Sequence, residues 1–253
     1  MRTIGLIGGM SWESTALYYR LINQGVARRR GGLHSAPLLL HSVDFAPIAA
    51  QQAAGDWAGA AATLGAAAAG LKRAGAQALV LATNTMHKLS AEIEAASGLP
   101  LLHIADATGV ALRAAGIERA ALLGTCFTME DAAIVIDPLA QRHGVHSLVP
   151  DAADRALLHR VIFDELCRGV ISDASRGAVV AVIERQRAAG AQAVILGCTE
   201  ITLLIDATCS PLPVFDTTAL HAAAAVDWIL ADPDVTVTDT DPDTDTDKDK
   251  DKS

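Results

Sequence analysis

The chain contains two copies of one pattern. AGAQALVLATNTMHKL at residues 74–89 returns as AGAQAVILGCTEITLL at residues 189–204. Each copy joins a short run of aliphatic residues to a polar turn, which predicts a buried strand that leads into a helix start. An offset of about 115 residues is too long for a solenoid repeat and predicts two domains of the same design. Superposing the copies places Thr83 on Cys198.

Short apolar runs alternate with Ala-rich helical stretches along both halves. The first half contains TIGLIG, PLLLHSVDF, ALVLAT and LPLLHIAD, and the second contains RAALLG, HSLVP, AVILGC and LPVFDT. Such alternation predicts right-handed βαβ units. We therefore predict an α/β protein of two pseudo-symmetric domains, each a mainly parallel sheet flanked by helices, with a ligand site in the cleft between them. The predicted boundaries are residues 1–100 with 211–230 for the first domain and residues 101–210 for the second.

Charge and composition narrow the class of protein. The chain has 253 residues, 51% of them hydrophobic, and a net charge of −9, of which −6 belongs to the Asp-rich tail at residues 231–253. A tail with so little to bury is expected to be disordered. The rest of the chain has no basic stripe with interleaved aromatic residues, so a nucleic acid is not an expected partner. We expect the arginines at residues 28–30 to end a helix, where cations offset the helix dipole.

The termini and the cysteines indicate a cytoplasmic protein. Met1 leads directly into the apolar run at residues 4–7, without the longer apolar region of a signal peptide, and no segment is apolar for long enough to span a bilayer. No membrane partner is therefore expected. The four cysteines are expected to be free thiols, and no spacing indicates a metal site. They are Cys126, Cys167, Cys198 and Cys209.

The matched positions indicate a chemistry. Equivalent α/β units that face one another bring Thr83 and Cys198 to opposite sides of a small ligand. Amides at the two helix starts can then bind a carboxylate. The residues at these helix starts are Asn84, Thr85, Thr199 and Glu200. Opposed acid and base groups suit a reaction in which a proton leaves one face of a carbon and returns on the other, which is racemisation or epimerisation.

The hydroxyl and the thiol are not equivalent acids. A cysteine thiol has a pKa of about 8.5, which helix-start amides can lower towards neutrality, whereas a threonine hydroxyl cannot be lowered comparably. We therefore predict that Cys198 is the general base and that Thr83 donates or relays a proton from the opposite face. The site should then be directional, with faster turnover of the enantiomer whose α-proton points at Cys198.

Further positions are candidates for the same site. The glycine-opened turn and helix start at residues 10–14, from Met10 and Ser11 to Ser14, should present amides and hydroxyls to the cleft. Without a complete GxGxxG motif this turn is only a weak signal for a dinucleotide. Gln52 can reach a substrate carboxylate, and supporting roles are assigned to the following residues at strand ends and on helices: Asp44, His87, Thr125 and Glu165. For His87 a structural cap and an acid/base partner both stay open, and for Asp164 and Glu165 an exposed acid pair is the alternative.

Several motifs together carry a family resemblance. IGLIGGMSWEST, HSVDF, TNTMHK, HIADAT, LLGT before FTME, IFDELC, GCTEI and LPVFDT occur in order over almost all of residues 1–229. They resemble the PLP-independent aspartate/glutamate racemase family, and the resemblance also supports Gln52 as a substrate ligand. It implies an acidic amino acid as substrate, no cofactor, no metal and a homodimer. Family members usually have a cysteine in each domain, and Thr83 resembles a subgroup with threonine at the first site that prefers the L-enantiomer.

The chain also departs from the family, and other functions stay open. Cys126 stands where relatives more often have arginine, and DAAIVIDPLAQ replaces a more polar, tyrosine-containing helix. Cys167 and Cys209 are interpreted as buried or bystander thiols. One alternative is a one-thiol decarboxylase or isomerase of the same superfamily, which protonates a carbanion from one face. Another alternative is a non-catalytic protein that binds acidic amino acids.

Overall fold

The computed structural model describes residues 1–231, which form two parallel sheets. The strands are β1 (Ile4–Gly8), β2 (Leu38–Ser42), β3 (Ala78–Leu81), β4 (Leu101–Leu102), β5 (Arg119–Leu123), β6 (His146–Leu148), β7 (Ala193–Leu196) and β8 (Val214–Asp216). The first sheet has the order β2-β1-β3-β4, and the second has the order β6-β5-β7-β8. Every apolar run predicted to be a strand is therefore confirmed, and so is the α/β class with two units of one design.

Helices connect the strands. In chain order they are α1 (Trp12–Arg30), α2 (Phe45–Ala54), α3 (Trp57–Arg73), α4 (Ser90–Ser97), α5 (Ile104–Ala114), α6 (Cys126–Glu130), α7 (Ile136–His143), α8 (Ala152–Arg160), α9 (Asp173–Ala188) and α10 (Thr217–Leu230). Short 3-10 helices occupy Thr85–Leu89, Leu166–Arg168 and Thr199–Leu203, and a π-helical turn occupies Val161–Glu165. The arginines at residues 28–30 end α1, as predicted.

The first sheet is covered on both faces, which explains why its strands read as continuous apolar runs. Side chains alternate along each strand: Ile7 and Leu81 pack against α3 and α4, whereas Leu6 and Val80 pack against α1 and α10. Strand β1 pairs with β3 in parallel register, with Ile4 opposite Ala78. The second sheet repeats this pairing between β5 and β7 within its own core.

Two helices each follow a strand of one sheet and pack on the other sheet. Helix α5 follows β4 of the first sheet, yet its Leu112 lies in the core of the second sheet. Helix α10 follows β8 of the second sheet, yet its Val226 packs with α1 on the first sheet. This exchange joins the two halves, and the predicted domain boundaries at residues 100 and 210 stay a prediction.

Two expectations concern the chain as a whole. Within residues 1–231 no helix combines the length and the apolar character that crossing a membrane requires. The tail predicted to be disordered lies outside the described residues beyond Ala231.

Candidate active site

The repeat places Thr83 and Cys198 at equivalent points of the two sheets. Each residue lies two positions after the end of a central strand, β3 for Thr83 and β7 for Cys198. Both line one cavity of about 120 Å³, which is built from both halves of the chain. The predicted site residues that line this cavity are Met10, Ser11, Ser14, Gln52, Thr83, Asn84, Thr85, Thr125, Cys198, Thr199 and Glu200. The sequence repeat therefore brings a hydroxyl and a thiol to the same space.

Hydrogen bonds join the two halves around this cavity. The Ser14 hydroxyl donates to Thr199 Oγ1 at 3.0 Å. On the other side, Asn84 Nδ2 donates to Thr217 Oγ1 at 3.2 Å, and Thr217 Oγ1 donates in turn to the carbonyl of Leu196 at the end of β7. These bonds fix the approach of the turn after β3 to the turn after β7.

The Cys198 thiol faces a carboxylate. Cys198 Sγ donates a hydrogen bond to Glu200 Oε2 at 2.8 Å. Thr199 Oγ1 donates to the same oxygen at 2.8 Å. Cys198 itself has extended backbone angles, and the short 3-10 helix begins only at Thr199. The thiol, the hydroxyl and the carboxylate therefore form one continuous hydrogen-bonded group.

This arrangement corrects one expectation about the thiol. Burial, and next the negative charge of Glu200, raise the pKa of Cys198 well above its usual range. The prediction that this pKa is lowered towards neutrality was wrong: the backbone amide of Glu200 does lower it, but burial and the Glu200 carboxylate beside the sulfur outweigh that effect. Cys198 therefore keeps its proton at neutral pH.

A buried histidine forms a hydrogen bond with the backbone of Thr83. His87 Nδ1 donates to the carbonyl oxygen of Thr83 at 2.8 Å, and the His87 side chain is 1% exposed. Burial, and then the neighbouring His103 and His221, lower the pKa of His87 well below its usual range. The ring is therefore neutral, and it fixes the peptide of Thr83 without lining the cavity.

A second buried pair extends this histidine cluster. The Tyr18 hydroxyl donates to His221 Nδ1 at 2.9 Å, and His221 Nε2 donates to the carbonyl of Leu102 at 2.7 Å. Because a carbonyl only accepts, this bond assigns the ring proton to Nε2. Burial lowers the pKa of His221 to about 4, so this ring is also neutral. Tyr18 connects the cluster to the cavity that it lines.

Three of the candidate residues lie away from the cavity. Asp44 caps α2, where its carboxylate accepts from the amide of Ala46. Glu165 accepts from the Ser175 hydroxyl at 2.5 Å. Neither residue lines the cavity, and neither does His87. Cys126, at the start of α6, does not line it either.

Sequence reasoning missed several residues that line the cavity. These are Tyr18, Phe45, Met86, Phe127, Thr128, Ile162, Phe163, Cys167, Gly197 and Thr218. Cys167, interpreted as a buried or bystander thiol, is exposed, and it lines the cavity from the turn at Leu166–Arg168. Several of these residues belong to the quoted motifs FTME and IFDELC, so the signal was present in the sequence.

A larger cavity of about 610 Å³ adjoins the first. Residues of α1, including Trp12 and Arg20, line it together with Leu203 of the 3-10 helix after β7. The residues that line both cavities are Ser11, Ser14, Phe45, Cys167, Thr199 and Glu200. The inner cavity therefore adjoins an outer one, and Glu200 lines both.

Comparisons with known proteins agree with this architecture. A family model described as Asp/Glu/Hydantoin racemase matches residues 7–225. A candidate Asp/Glu racemase from Yersinia pestis is 54% identical, with a TM-score of 0.87, over 91% of this chain and 100% of that one. An aspartate racemase homologue from Pyrococcus horikoshii OT3 is 30% identical, with a TM-score of 0.78, over 90% of this chain and 99% of that one. An aspartate racemase from Picrophilus torridus, 19% identical over 90% of this chain and 94% of that one, shares the fold with a TM-score of 0.70.

Proposed function

The chain belongs to the Asp/Glu/hydantoin racemase family, and on that premise we propose that it racemises aspartate or glutamate without a cofactor. The observation that carries the proposal is the single cavity lined by Thr83 and Cys198 from equivalent positions of the two sheets. The candidate Asp/Glu racemase and the aspartate racemase homologue among the structural relatives support an acidic amino acid as the substrate. A homodimer and a cytoplasmic location stay predictions.

The reaction needs one group on each face of the α-carbon. Cys198 takes the α-proton from one face after or as the thiol gives up its own proton, and the Thr83 hydroxyl delivers a proton to the other face and regains one from solvent. The carbanion that forms between them is stabilised by delocalisation into the α-carboxylate of the substrate. Asn84 contributes to this geometry because its amide ties the turn after β3 to Thr217 of α10.

Hydroxyl groups supply most of the polar wall. Ser11, Thr85 and Thr125 line the cavity and can donate to substrate carboxylates. Three phenylalanines also line the cavity: Phe45, Phe127 and Phe163. An amino acid held between these walls presents its α-carbon to Thr83 and Cys198. We further propose that the α-proton of the L-enantiomer is the one that faces Cys198.

The directional character of the site has a thermodynamic limit. The two enantiomers have equal free energy in water, so kcat/KM must be equal in the two directions of racemisation. A preference for one enantiomer therefore appears in kcat and KM taken separately, and in α-proton exchange without inversion. The enantiomer that faces Cys198 should exchange its proton with solvent faster than it inverts.

The proposal is tested by following the α-proton signal in heavy water by NMR. Cofactor-free protein is incubated separately with L-aspartate, D-aspartate, L-glutamate and D-glutamate. Loss of the signal together with formation of the mirror image supports a cofactor-independent racemase. Cys198→Ala should abolish both, whereas Cys209→Ala is the matched control, because Cys209 is a partly buried thiol outside the cavity.

Two results would contradict the proposal. Exchange that persists in Cys198→Ala would remove this thiol from the reaction. Binding of all four amino acids without any exchange would instead support a non-catalytic binding protein. Chemical denaturation of each variant, measured in parallel, distinguishes lost chemistry from a lost fold.

A further inference from the structure

We propose that Glu200 is the terminal proton acceptor on the Cys198 face and that the thiol is a relay between the α-carbon and this carboxylate. The inference rests on the proposed function and deepens it. It also changes the role expected for Glu200, which the sequence indicated as a substrate ligand. Glu200 becomes a catalytic residue because its oxygen contacts the reacting sulfur.

The geometry of one oxygen atom is the first argument. Glu200 Oε2 accepts from Cys198 Sγ at 2.8 Å and from Thr199 Oγ1 at 2.8 Å. Thr199 Oγ1 in turn accepts from the Ser14 hydroxyl at 3.0 Å. The carboxylate oxygen is therefore held against the sulfur by a chain that reaches across to α1. A proton that leaves the sulfur has an acceptor already in hydrogen-bonding position.

The protonation state of the thiol is the second argument. Two ionisable groups act on Cys198: Glu200, and Cys167 from the 3-10 turn at Leu166–Arg168. Both raise the pKa of Cys198, and burial raises it most. Burial and the charge of Glu200 also raise the pKa of Cys167 to about 11, so the second thiol is no base either. A thiol that retains its proton must pass that proton on as it receives another.

The proton balance of the step is complete. The bond between the α-carbon and its hydrogen breaks, and that hydrogen forms a new S–H bond on Cys198. The original S–H bond breaks, and its hydrogen forms an O–H bond on Glu200. The electron pair stays on the α-carbon, so the negative charge moves from Glu200 to the substrate carbanion.

The outer cavity gives Glu200 a path to solvent. Glu200 lines both the inner cavity of about 120 Å³ and the outer cavity of about 610 Å³. Its proton can therefore exchange with water in the outer cavity while the substrate occupies the inner one. Solvent deuterium can then return through the same relay, so the relay predicts exchange without inversion on the Cys198 face.

The test uses Glu200→Gln, which keeps the shape of the side chain and removes its basicity. Proton exchange of the substrate that the wild type uses should fall about 100-fold or more at neutral pH, the range typical for loss of a general base. Exchange should recover as the pH rises, because a free thiolate can then act alone. Glu200→Asp should retain part of the activity with the wild-type pH profile. Glu92→Gln, an exposed carboxylate on α4, is the matched control and should not change exchange.

The rate at which Cys198 is alkylated should change in the opposite direction to the rate of proton exchange. Removing the negative charge beside Cys198 lowers the pKa of the thiol, so iodoacetamide should alkylate Cys198 faster in Glu200→Gln than in the wild type. Peptide mass mapping assigns the alkylation to Cys198 and separates it from Cys167. Slower exchange together with faster alkylation is the pattern that the relay predicts, and a purely structural role for Glu200 would not produce it.

Each contrary result has a distinct meaning. Exchange by Glu200→Gln within a few-fold of wild type, with an unchanged pH profile, would overturn the relay and leave the racemase proposal intact. Slower exchange without faster alkylation of Cys198 would also overturn the relay and return Glu200 to substrate binding. No exchange by the wild-type protein with any acidic amino acid would overturn the proposed function, and the relay with it.

Discussion

Gly9→Ala should destabilise the protein because the turn between β1 and α1 has no room for a methyl group. Gly9 has a φ of +98°, and a Cβ atom there would lie 2.1 Å from the carbonyl oxygen of Val43 and 2.6 Å from its nitrogen. Both contacts are with backbone, which cannot rotate away. The turn is also fixed by the Gly9 amide, which donates to Thr15 Oγ1 at 2.8 Å, and by the Val43 amide, which donates to the carbonyl of Gly8 at 2.9 Å.

The expected loss of stability in Gly9→Ala has two parts. A side chain in the left-handed region costs roughly 1–2 kcal/mol, and overpacking against a rigid neighbour costs about 1–3 kcal/mol more. Gly9→Ala should therefore lower the free energy of unfolding by about 2–5 kcal/mol, which corresponds to a fall in Tm of roughly 4–20 °C for a chain of this size. Because Met10 and Ser11 follow directly and line the cavity, activity should fall as well.

Gly75→Ala is the matched control for this prediction. Gly75 has a φ of +103°, but a Cβ atom there would meet nothing within 4 Å. This variant should therefore show only the conformational cost of about 1–2 kcal/mol. Urea unfolding followed by circular dichroism measures both variants. Equal losses of stability in Gly9→Ala and Gly75→Ala would refute the argument from the close contact with Val43.

Three further predictions concern the site and its histidine cluster. Thr83→Ala should still exchange the α-proton of one enantiomer through Cys198, but it should no longer invert that enantiomer. NMR measures the exchange and chiral chromatography measures the inversion in the same sample. Retained inversion would contradict this prediction. His87→Ala should slow inversion more than exchange, because it removes the hydrogen bond to the Thr83 carbonyl. His87→Asn should restore part of the wild-type ratio of inversion rate to exchange rate. Equal losses of inversion and exchange in His87→Ala would indicate a general structural role. Stability should fall as the pH drops from 6.5 towards 4, since burial lowers the pKa of His221 to about 4 and also lowers that of His87 and His103. The unfolded state then binds protons that the folded state excludes. The lowered pKa of His221 alone contributes roughly 3 kcal/mol to the free energy of unfolding at neutral pH, at about 1.4 kcal/mol for each unit of pKa shift. A Tm that does not change with pH in this range would contradict the assignment of neutral, buried histidines.

The sheets could be predicted because their strands are buried on both faces. Such strands read as unbroken apolar runs, and the repeat of residues 74–89 at 189–204 aligned the two sheets. The same alignment found Thr83 and Cys198, since equivalent strand ends must lie at equivalent places.

The electrostatics of the site could not be predicted in the same way. The sequence shows Glu200 two residues after Cys198, but only the 3-10 geometry of the turn brings its carboxylate back to the sulfur. The sequence left His87 between two roles because two of the groups that act on its pKa are distant in sequence. Its hydrogen-bond acceptor Thr83 is only four residues away, but His103 and His221 approach it only after the sheets have formed. Rotamers and long-range neighbours decide a pKa, and neither is encoded in local spacing.

The most direct test of a two-sided site is the isotope content of the first product molecules in heavy water. The wild-type protein is given the protiated L-enantiomer of aspartate or glutamate, and the D-enantiomer is isolated before much of the substrate has reacted. Because Cys198 removes the proton and Thr83 delivers another from the opposite face, the D-product should carry deuterium at the α-carbon from the earliest time. A D-product that retains the original proton would show transfer by a single group and would contradict the account.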